Sequence, residues 1–233
     1  MNTSKTLPKR QVRLDDKYTV HKGRAYMTGI EALVRLPMLQ QQRDQLRGLN
    51  TAGFISGYRG SPLGSVDQSL WQAKDLLKKQ NIHFQPGVNE ELAATAVWGS
   101  QQTQLFKGAK FDGVFGLWYG KGPGVDRSMD VIKHANAFGT APKGGVLAVA
   151  GDDHACKSST LPNQSEHMFI GASVPVLAPA NVQEVLDLGL FGWELSRFSG
   201  CWVALKAITE NMDSAISADI DAARISIQIP EGF

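Results

Sequence analysis

Two adjacent carboxylates, Glu90 and Glu91, open the alanine-rich run Leu92-Ala-Ala-Thr-Ala-Val-Trp-Gly99. Asn89 precedes them and is a good helix N-cap; acids in a first turn are favoured by the helix dipole. Capping alone would account for both carboxylates. The chemistry they could do depends on three other stretches. Gly57-Tyr-Arg-Gly-Ser-Pro-Leu-Gly64 brings Arg59 and Ser61 into a glycine-rich turn. Gly120-Lys-Gly-Pro-Gly-Val-Asp126 is a second, and Gly151-Asp-Asp-His-Ala-Cys156 a third.

Spacing excludes two phosphate-binding forms. The Walker pattern needs four residues between its first glycine and Gly-Lys, then Ser or Thr. Here three separate Gly116 from Gly120, and Gly122 follows Lys121. The dinucleotide pattern counted from Gly120 meets Val125 where its third glycine belongs. Aspartate, histidine and cysteine between Asp152 and Cys156 are crowded and match no zinc spacing, so no metal ligand is assigned. His83, His134 and His167 lack matching partners.

The elements that must position these stretches alternate. Thr28 and Glu31 form a capping-box pattern opening a helix that Pro37 should kink or interrupt and Gly48 should end. Thr51–Ser56 reads as a buried strand. Ser65 and Gln68 suggest a second capping box, with a helix to about Lys79. A helix runs from Glu90 to near Gly108, a strand from Asp112 to Trp118, a helix from Ser128 to Phe138 and a strand from Gly145 to Ala150. The polar loop Gly151–Pro162 and a short helix lead to the strand Val174–Leu177. Asn181 and Glu184 cap a helix to about Arg197, and Val203–Ile208 and Ile225–Ile229 read as strands. Apolar strands alternating with helices predict an α/β domain, a mostly parallel sheet with helices on both faces. The glycine-rich turns then lie at the carboxyl ends of strands, where such sheets bind ligands.

Composition is that of a globular chain: 42% hydrophobic, 20% charged, net charge +2. That charge points to neither nucleic acid nor an anionic membrane. No apolar run is long enough to span a bilayer. Residues 1–17 read as a polar extension without a signal-peptide core, and 18–233 as the domain. Cys156 and Cys201 read as free thiols of a reducing cytoplasm and are too few to hold an iron–sulfur cluster.

Four motifs in this order, Gly57-Tyr-Arg-Gly-Ser-Pro62, Pro86-Gly-Val-Asn-Glu90, Tyr119-Gly-Lys-Gly-Pro-Gly-Val-Asp126 and Gly151-Asp-Asp-His154, resemble the N-terminal part of the indolepyruvate ferredoxin oxidoreductase family. This family belongs to the thiamine-dependent 2-oxoacid:ferredoxin oxidoreductases, and the resemblance runs from about Thr28 to Ile229. It implies a pyrimidine-binding domain for thiamine diphosphate, oxidative decarboxylation of an arylpyruvate to an acyl-CoA, and reduction of ferredoxin. The family's acid falls on Glu90, whose carboxyl would hydrogen-bond the aminopyrimidine; there the helix N-terminus favours the carboxylate, while burial beside Val88, Leu92 and the cofactor favours the neutral acid. Glu91, about 100° around the helix, would face a partner or solvent.

The resemblance further implies that Ser61 and Arg59 contact the oxoacid, although Arg59 stands where related enzymes carry proline. A surface charge on a turn is the other reading of Arg59. Gly60, Gly122, Gly124, Asp152 and His154 would approach the cofactor. Gly151-Asp-Asp153 lacks the second glycine of the family's magnesium motif, so magnesium and the diphosphate belong to a separate domain. Iron–sulfur clusters and a gamma-type domain would lie elsewhere in a longer chain or another subunit, in a homo-oligomer. The 233 residues therefore read as a fragment or truncated reading frame, inactive alone. The competing expectation is a stand-alone, non-catalytic domain that binds a partner or small ligand at the sheet edge.

Overall fold

The computed structural model describes residues 11–230. Most of the polar extension, through Arg10, and residues 231–233 lie outside them. A short helix α1 (Asp16–Thr19) precedes strand β1 (Arg24–Thr28) and helix α2 (Gly29–Leu46). Then come β2 (Thr51–Gly57), α3 (Val66–Gln72), α4 (Lys74–Lys79), β3 (Ile82–Phe84) and α5 (Glu90–Ser100). The chain continues through β4 (Gly113–Lys121), α6 (Gly122–Arg127), α7 (Met129–Phe138), β5 (Val146–Asp152) and α8 (Glu166–Gly171). It ends with β6 (Val176–Leu177), α9 (Val182–Ser199), β7 (Val203–Ile208), α10 (Thr209–Met212) and β8 (Ala215–Asp219).

Six of these strands form one parallel sheet, ordered β3-β2-β4-β5-β7-β6. β1 and β8 form a separate antiparallel pair. β4 shows why both sheet faces are covered. Phe115, Leu117 and Tyr119 point into one core with α2, α3, α4 and α9. Trp118 points into the other, with α5, α6, α7 and α8. The crossovers obey one hand: β2→β3 and β6→β7 run in one direction over the first face, while β3→β4, β4→β5 and β5→β6 run the other way over the second. Direction therefore reverses between β2 and β4, and the chains that follow them leave toward opposite faces of the sheet.

Thr28 and Glu31 do form the expected capping box. Pro37 does not interrupt α2, which continues to Leu46. Ser65 makes no capping hydrogen bond, and the expected single helix divides at Ala73. α5 stops at Ser100 rather than near Gly108, followed by a 3-10 turn at Thr103–Leu105. Ile225–Ile229 is not a strand; the unforeseen β8, set beside β1 by the chain's return over α10, takes the last pairing. The second glycine-rich stretch is no loop. β4 extends through Lys121, and α6 begins at Gly122 with Pro123 in its first turn, where a missing N–H costs nothing. Among the described residues no helix is long and apolar enough to cross a membrane.

The amino end of the sheet is tied by a buried charge network. Arg197 of α9 makes a fork of 2.7 and 2.8 Å to Asp44 of α2. Asp44 also accepts from Thr51 Oγ1 at the start of β2 (2.7 Å) and from Gln40 Nε2 (2.9 Å). Removing one partner leaves a buried charge uncompensated, so Asp44→Ala should cost about 3–5 kcal/mol. Urea unfolding checks this, and a loss below about 1 kcal/mol would reduce the network to the worth of a surface pair.

Candidate functional site

The four motifs converge at the carboxyl edge of the sheet, around the reversal between β2 and β4. The two strands stay in register to their ends, where Gly57 faces Tyr119 and Tyr58 N donates to Tyr119 O at 3.0 Å. A Cβ on Gly57 would lie 2.2 Å from that carbonyl oxygen, so the approach requires glycine. The segment before α5 runs along the other side of β2, with Gly87 N donating to Gly57 O at 2.9 Å. This delivers Glu90 to that edge.

Asn89 caps α5 by accepting from Leu92 N at 2.8 Å. Glu90 is therefore not needed as the cap, and its carboxyl accepts no hydrogen bond from the described residues. Its backbone carbonyl accepts from Trp118 Nε1 at 3.0 Å, which fixes the first turn against β4. The half-buried side chain lies over two glycines. A Cβ on Gly124 would sit 2.4 Å from Glu90 Cγ and 2.7 Å from Oε1, and one on Gly120 3.3 Å from Cγ. Val88 and Leu92 do not bury it: they are 81% and 53% exposed, because they face away from the sheet. Glu91 turns outward and meets the exposed Arg127 at 3.8 Å.

Arg59 is exposed and Ser61 half-buried on the turn after β2. Gly60 of that turn lies over Lys121, whose Cδ would be 3.0 Å from a Cβ there. Gly122 faces Asn163 instead of Glu90; a Cβ would lie 2.5 Å from that of Asn163. Gly151, one residue before the end of β5, is covered by Pro62 and Leu63.

Asp152 belongs to β5, not to a loop, and is buried. Its oxygens accept from Ser165 N and Oγ, and Lys206 Nζ lies 3.5 Å away. Burial raises its carboxyl above the ordinary range against those hydrogen bonds. Lys206 also pairs with Glu166. Burial acts on Asp153 in the same sense, but the Ser158 and Lys157 N–H groups and Lys121 outweigh it and hold the carboxyl below its usual value. His154 is exposed. The structure thus brings Glu90, Gly120 and Gly124 together, sets Gly60 on Lys121, and leaves Gly122, Asp152 and His154 with other neighbours.

Sequence reasoning missed Lys121 and Lys206. Lys121 Nζ donates to Ser158 Oγ at 2.6 Å and lies 3.6 Å from Asp153. A lone lysine inside an apolar strand, as in Val203-Ala-Leu-Lys-Ala-Ile208, was the available signal, since a buried ammonium demands a carboxylate.

The fold and this edge define an α/β domain whose candidate site lies at the reversal of strand order. No protein-family model matches the chain. Its curated relatives include the indolepyruvate oxidoreductase subunit IorA of Pyrococcus horikoshii, 25% identical over 77% of this chain and 25% of the relative. The same subunit of Methanothermobacter marburgensis is 25% identical over 85% of this chain and 28% of its own length. Among solved structures, 2-oxoglutarate:ferredoxin oxidoreductase from Magnetococcus marinus, with 2-oxoglutarate, coenzyme A and succinyl-CoA bound, superposes with a TM-score of 0.63 at 17% identity. It covers 83% of this chain and 31% of that one. The resemblance read from the motifs stands: the chain is related to oxidoreductase subunits of the indolepyruvate kind and shares the α/β fold of a 2-oxoacid:ferredoxin oxidoreductase. It spans about a quarter of the length of the curated relatives it matches.

The two glycine contacts differ in what blocks them. At Gly57 the obstacle is backbone; at Gly124 it is the flexible Glu90 side chain. Gly57→Ala should therefore cost at least the roughly 1–3 kcal/mol of an overpacked core. Gly124→Ala should cost less and instead swing Glu90 aside. Thermal melts and the carboxyl 13C shift of Glu90 check this; an unmoved Glu90 resonance in Gly124→Ala would contradict the packing.

Proposed function

We propose that this chain is the pyrimidine-binding part of a thiamine diphosphate-dependent 2-oxoacid:ferredoxin oxidoreductase that acts on indolepyruvate or another arylpyruvate. The observation that carries this reading is Glu90: a half-buried carboxyl at the sheet edge, without a hydrogen-bond partner among the described residues, resting on Gly120 and Gly124. A carboxyl so placed fits the group, because it has a free oxygen to offer a ring nitrogen, and the glycines leave it room.

When bound, thiamine diphosphate supplies an acidic carbon that becomes the nucleophile toward the ketone and then an electron sink. Glu90 would hold a proton on the ring nitrogen of its aminopyrimidine. Arg59 would pair with the oxoacid carboxylate and Ser61 would donate to an oxoacid oxygen. Gly60 would let the turn carrying them lie on Lys121. Gly122 would keep α6 close to the 163 loop, while Asp152 and His154 would bound the cofactor side of the edge. Asp152 does so from behind, its oxygens being engaged by Ser165 and Lys206.

Among the described residues no group of three or more His, Cys, Asp or Glu is arranged to hold a metal ion. In this reading magnesium, the diphosphate, the iron–sulfur clusters and the gamma-type domain are supplied by further domains or subunits. Coenzyme A accepts the acyl group and ferredoxin the electrons, in a cytoplasmic homo-oligomer where Cys156 and Cys201 remain thiols.

In the complete enzyme, loaded with thiamine diphosphate and magnesium, Glu90→Gln should lower oxoacid-dependent viologen reduction by about 10²-fold or more with the fold intact. Undiminished turnover would end the role given to Glu90. Ser61→Ala and Arg59→Ala should each cost about 1.5–3 kcal/mol in kcat/KM for the oxoacid and leave cofactor affinity unchanged. Steady-state kinetics with a parallel cofactor titration separates the two quantities, and normal kinetics for both variants would return this turn to a structural role.

A further inference from the structure

An open groove of about 880 Å³ lies beside the turn that carries Arg59, with Tyr58, Asp67, Trp71, Pro86 and Gly87 among its walls. Its inner wall, Pro86–Gly87, is the segment that leads to Glu90. Its chemistry is mixed in a specific way. Arg59 is a cation on the rim. Trp71 is 50% exposed, its ring set edge-on to Phe84 at 5.1 Å, so an aromatic surface is fixed in the groove. Opposite charge comes from Asp67. Its Oδ1 accepts from the buried Tyr119 hydroxyl at 2.5 Å. Burial, then the hydrogen bond to Asp67, pushes the Tyr119 phenol well above its ordinary range, so it stays a donor. The other oxygen, Asp67 Oδ2, accepts nothing from the described residues. A carboxylate anchored from behind thus has one oxygen, open to solvent in the groove, with which to accept from a ligand donor.

The geometry points to a side-chain pocket for an aryl 2-oxoacid, in which Asp67, anchored by Tyr119, accepts a hydrogen bond from an N–H or O–H on the ring while Arg59 takes the carboxylate. This deepens the proposed function and rests on it for the oxoacid end. Trp71 and Tyr58 supply faces for the ring. Asp67 is the discriminating residue, because a polar group positioned for a ligand donor is left unpaired by an analogue that lacks it. Indolyl and 4-hydroxyphenyl substrates carry that donor; a phenyl substrate does not.

The test is binding and turnover of indole-3-pyruvate, 4-hydroxyphenylpyruvate and phenylpyruvate by the complete enzyme and by its Asp67→Asn, Asp67→Leu and Tyr119→Phe forms. The wild type should favour the two donor-bearing acids over phenylpyruvate by about tenfold to a hundredfold in kcat/KM and in dissociation constant from ligand-observed NMR. Asp67→Leu should abolish that preference. Asp67→Asn, whose single amide oxygen can accept from Tyr119 but leaves an NH2 donor in the place of Oδ2, should lose most of it while keeping the anchor, so a misfolded Asp67→Leu would not decide the matter. Tyr119→Phe should weaken the preference by freeing Asp67.

Equal handling of the three acids by the wild type, or an unchanged preference in Asp67→Asn and Asp67→Leu, overturns the pocket and leaves the catalytic reading standing. Preferential binding in the wild type that Asp67→Leu removes, without oxidation of any of the three acids, upholds the pocket and overturns the catalytic reading.

Discussion

Two backbones touch where β2 and β4 end, and the site is built around that contact. The parallel pairing runs without slippage from Thr51 opposite Gly113 to Gly57 opposite Tyr119. One residue further, the chains must part, because α3 lies over one face of the sheet and α6 over the other. The absence of a side chain at Gly57 keeps them together until that point. A bulkier residue would separate the strand ends earlier and withdraw the 57–64 turn from Lys121 and from the end of β5. The same pairing extends sideways through Gly87, so the acid on α5 and the cation on the turn are referred to one rigid strand end.

Charges on either side of this edge are handled differently, and the difference separates framework from site. Lys121 and Lys206 are engaged by carboxylates and hydroxyls of the β5 end and the loop after it. Buried ions matched in this way hold loops in place and have little left for a ligand. Glu90 and the second oxygen of Asp67 lack such partners among the described residues. Both are half-buried with oxygens that still meet solvent, so they stay available to a ligand donor. At the amino end of the sheet Asp44 is engaged by Arg197, Thr51 and Gln40, although Gln40 Oε1 is itself buried without a partner among the described residues.

Period and capping made the fold legible. The apolar runs at Thr51, Val146 and Val203 read as strands because parallel strands are buried on both faces. Thr28 and Asn181 marked helix starts because their side-chain oxygens accept the first free N–H groups. Features set by tertiary contact were less legible. Ala215–Asp219 is a strand because β1 lies beside it, while the more apolar Ile225–Ile229 has no neighbour to pair with. The glycines of Gly120–Gly124 suggested a loop, yet they mark where α6 must pass under Glu90 and beside Asn163. Order of the motifs along alternating elements set them at one edge of the sheet, which makes that edge the candidate site. Its second layer, Tyr119 with Asp67 and Lys121 with Ser158, joins residues dozens of positions apart and left no local pattern.

Glu90 and Glu91 show how much one step around a helix decides. Both occupy the first turn of α5 and gain alike from its dipole. Glu91 reaches the exposed Arg127 across 3.8 Å of solvent-accessible surface, an ion pair of small worth. Glu90, about 100° away, is turned onto β4 and α6. Capping cannot explain that placement, since Asn89 already takes the Leu92 N–H. Nor can a salt bridge, since no cation among the described residues pairs with Glu90. What makes room for it is the missing side chain at Gly124, where a Cβ would meet the Glu90 carboxyl; at Gly120 a Cβ would meet the Trp118 ring first. The sheet edge is thus shaped to admit this acid, and the acid is held with its hydrogen-bonding capacity unspent.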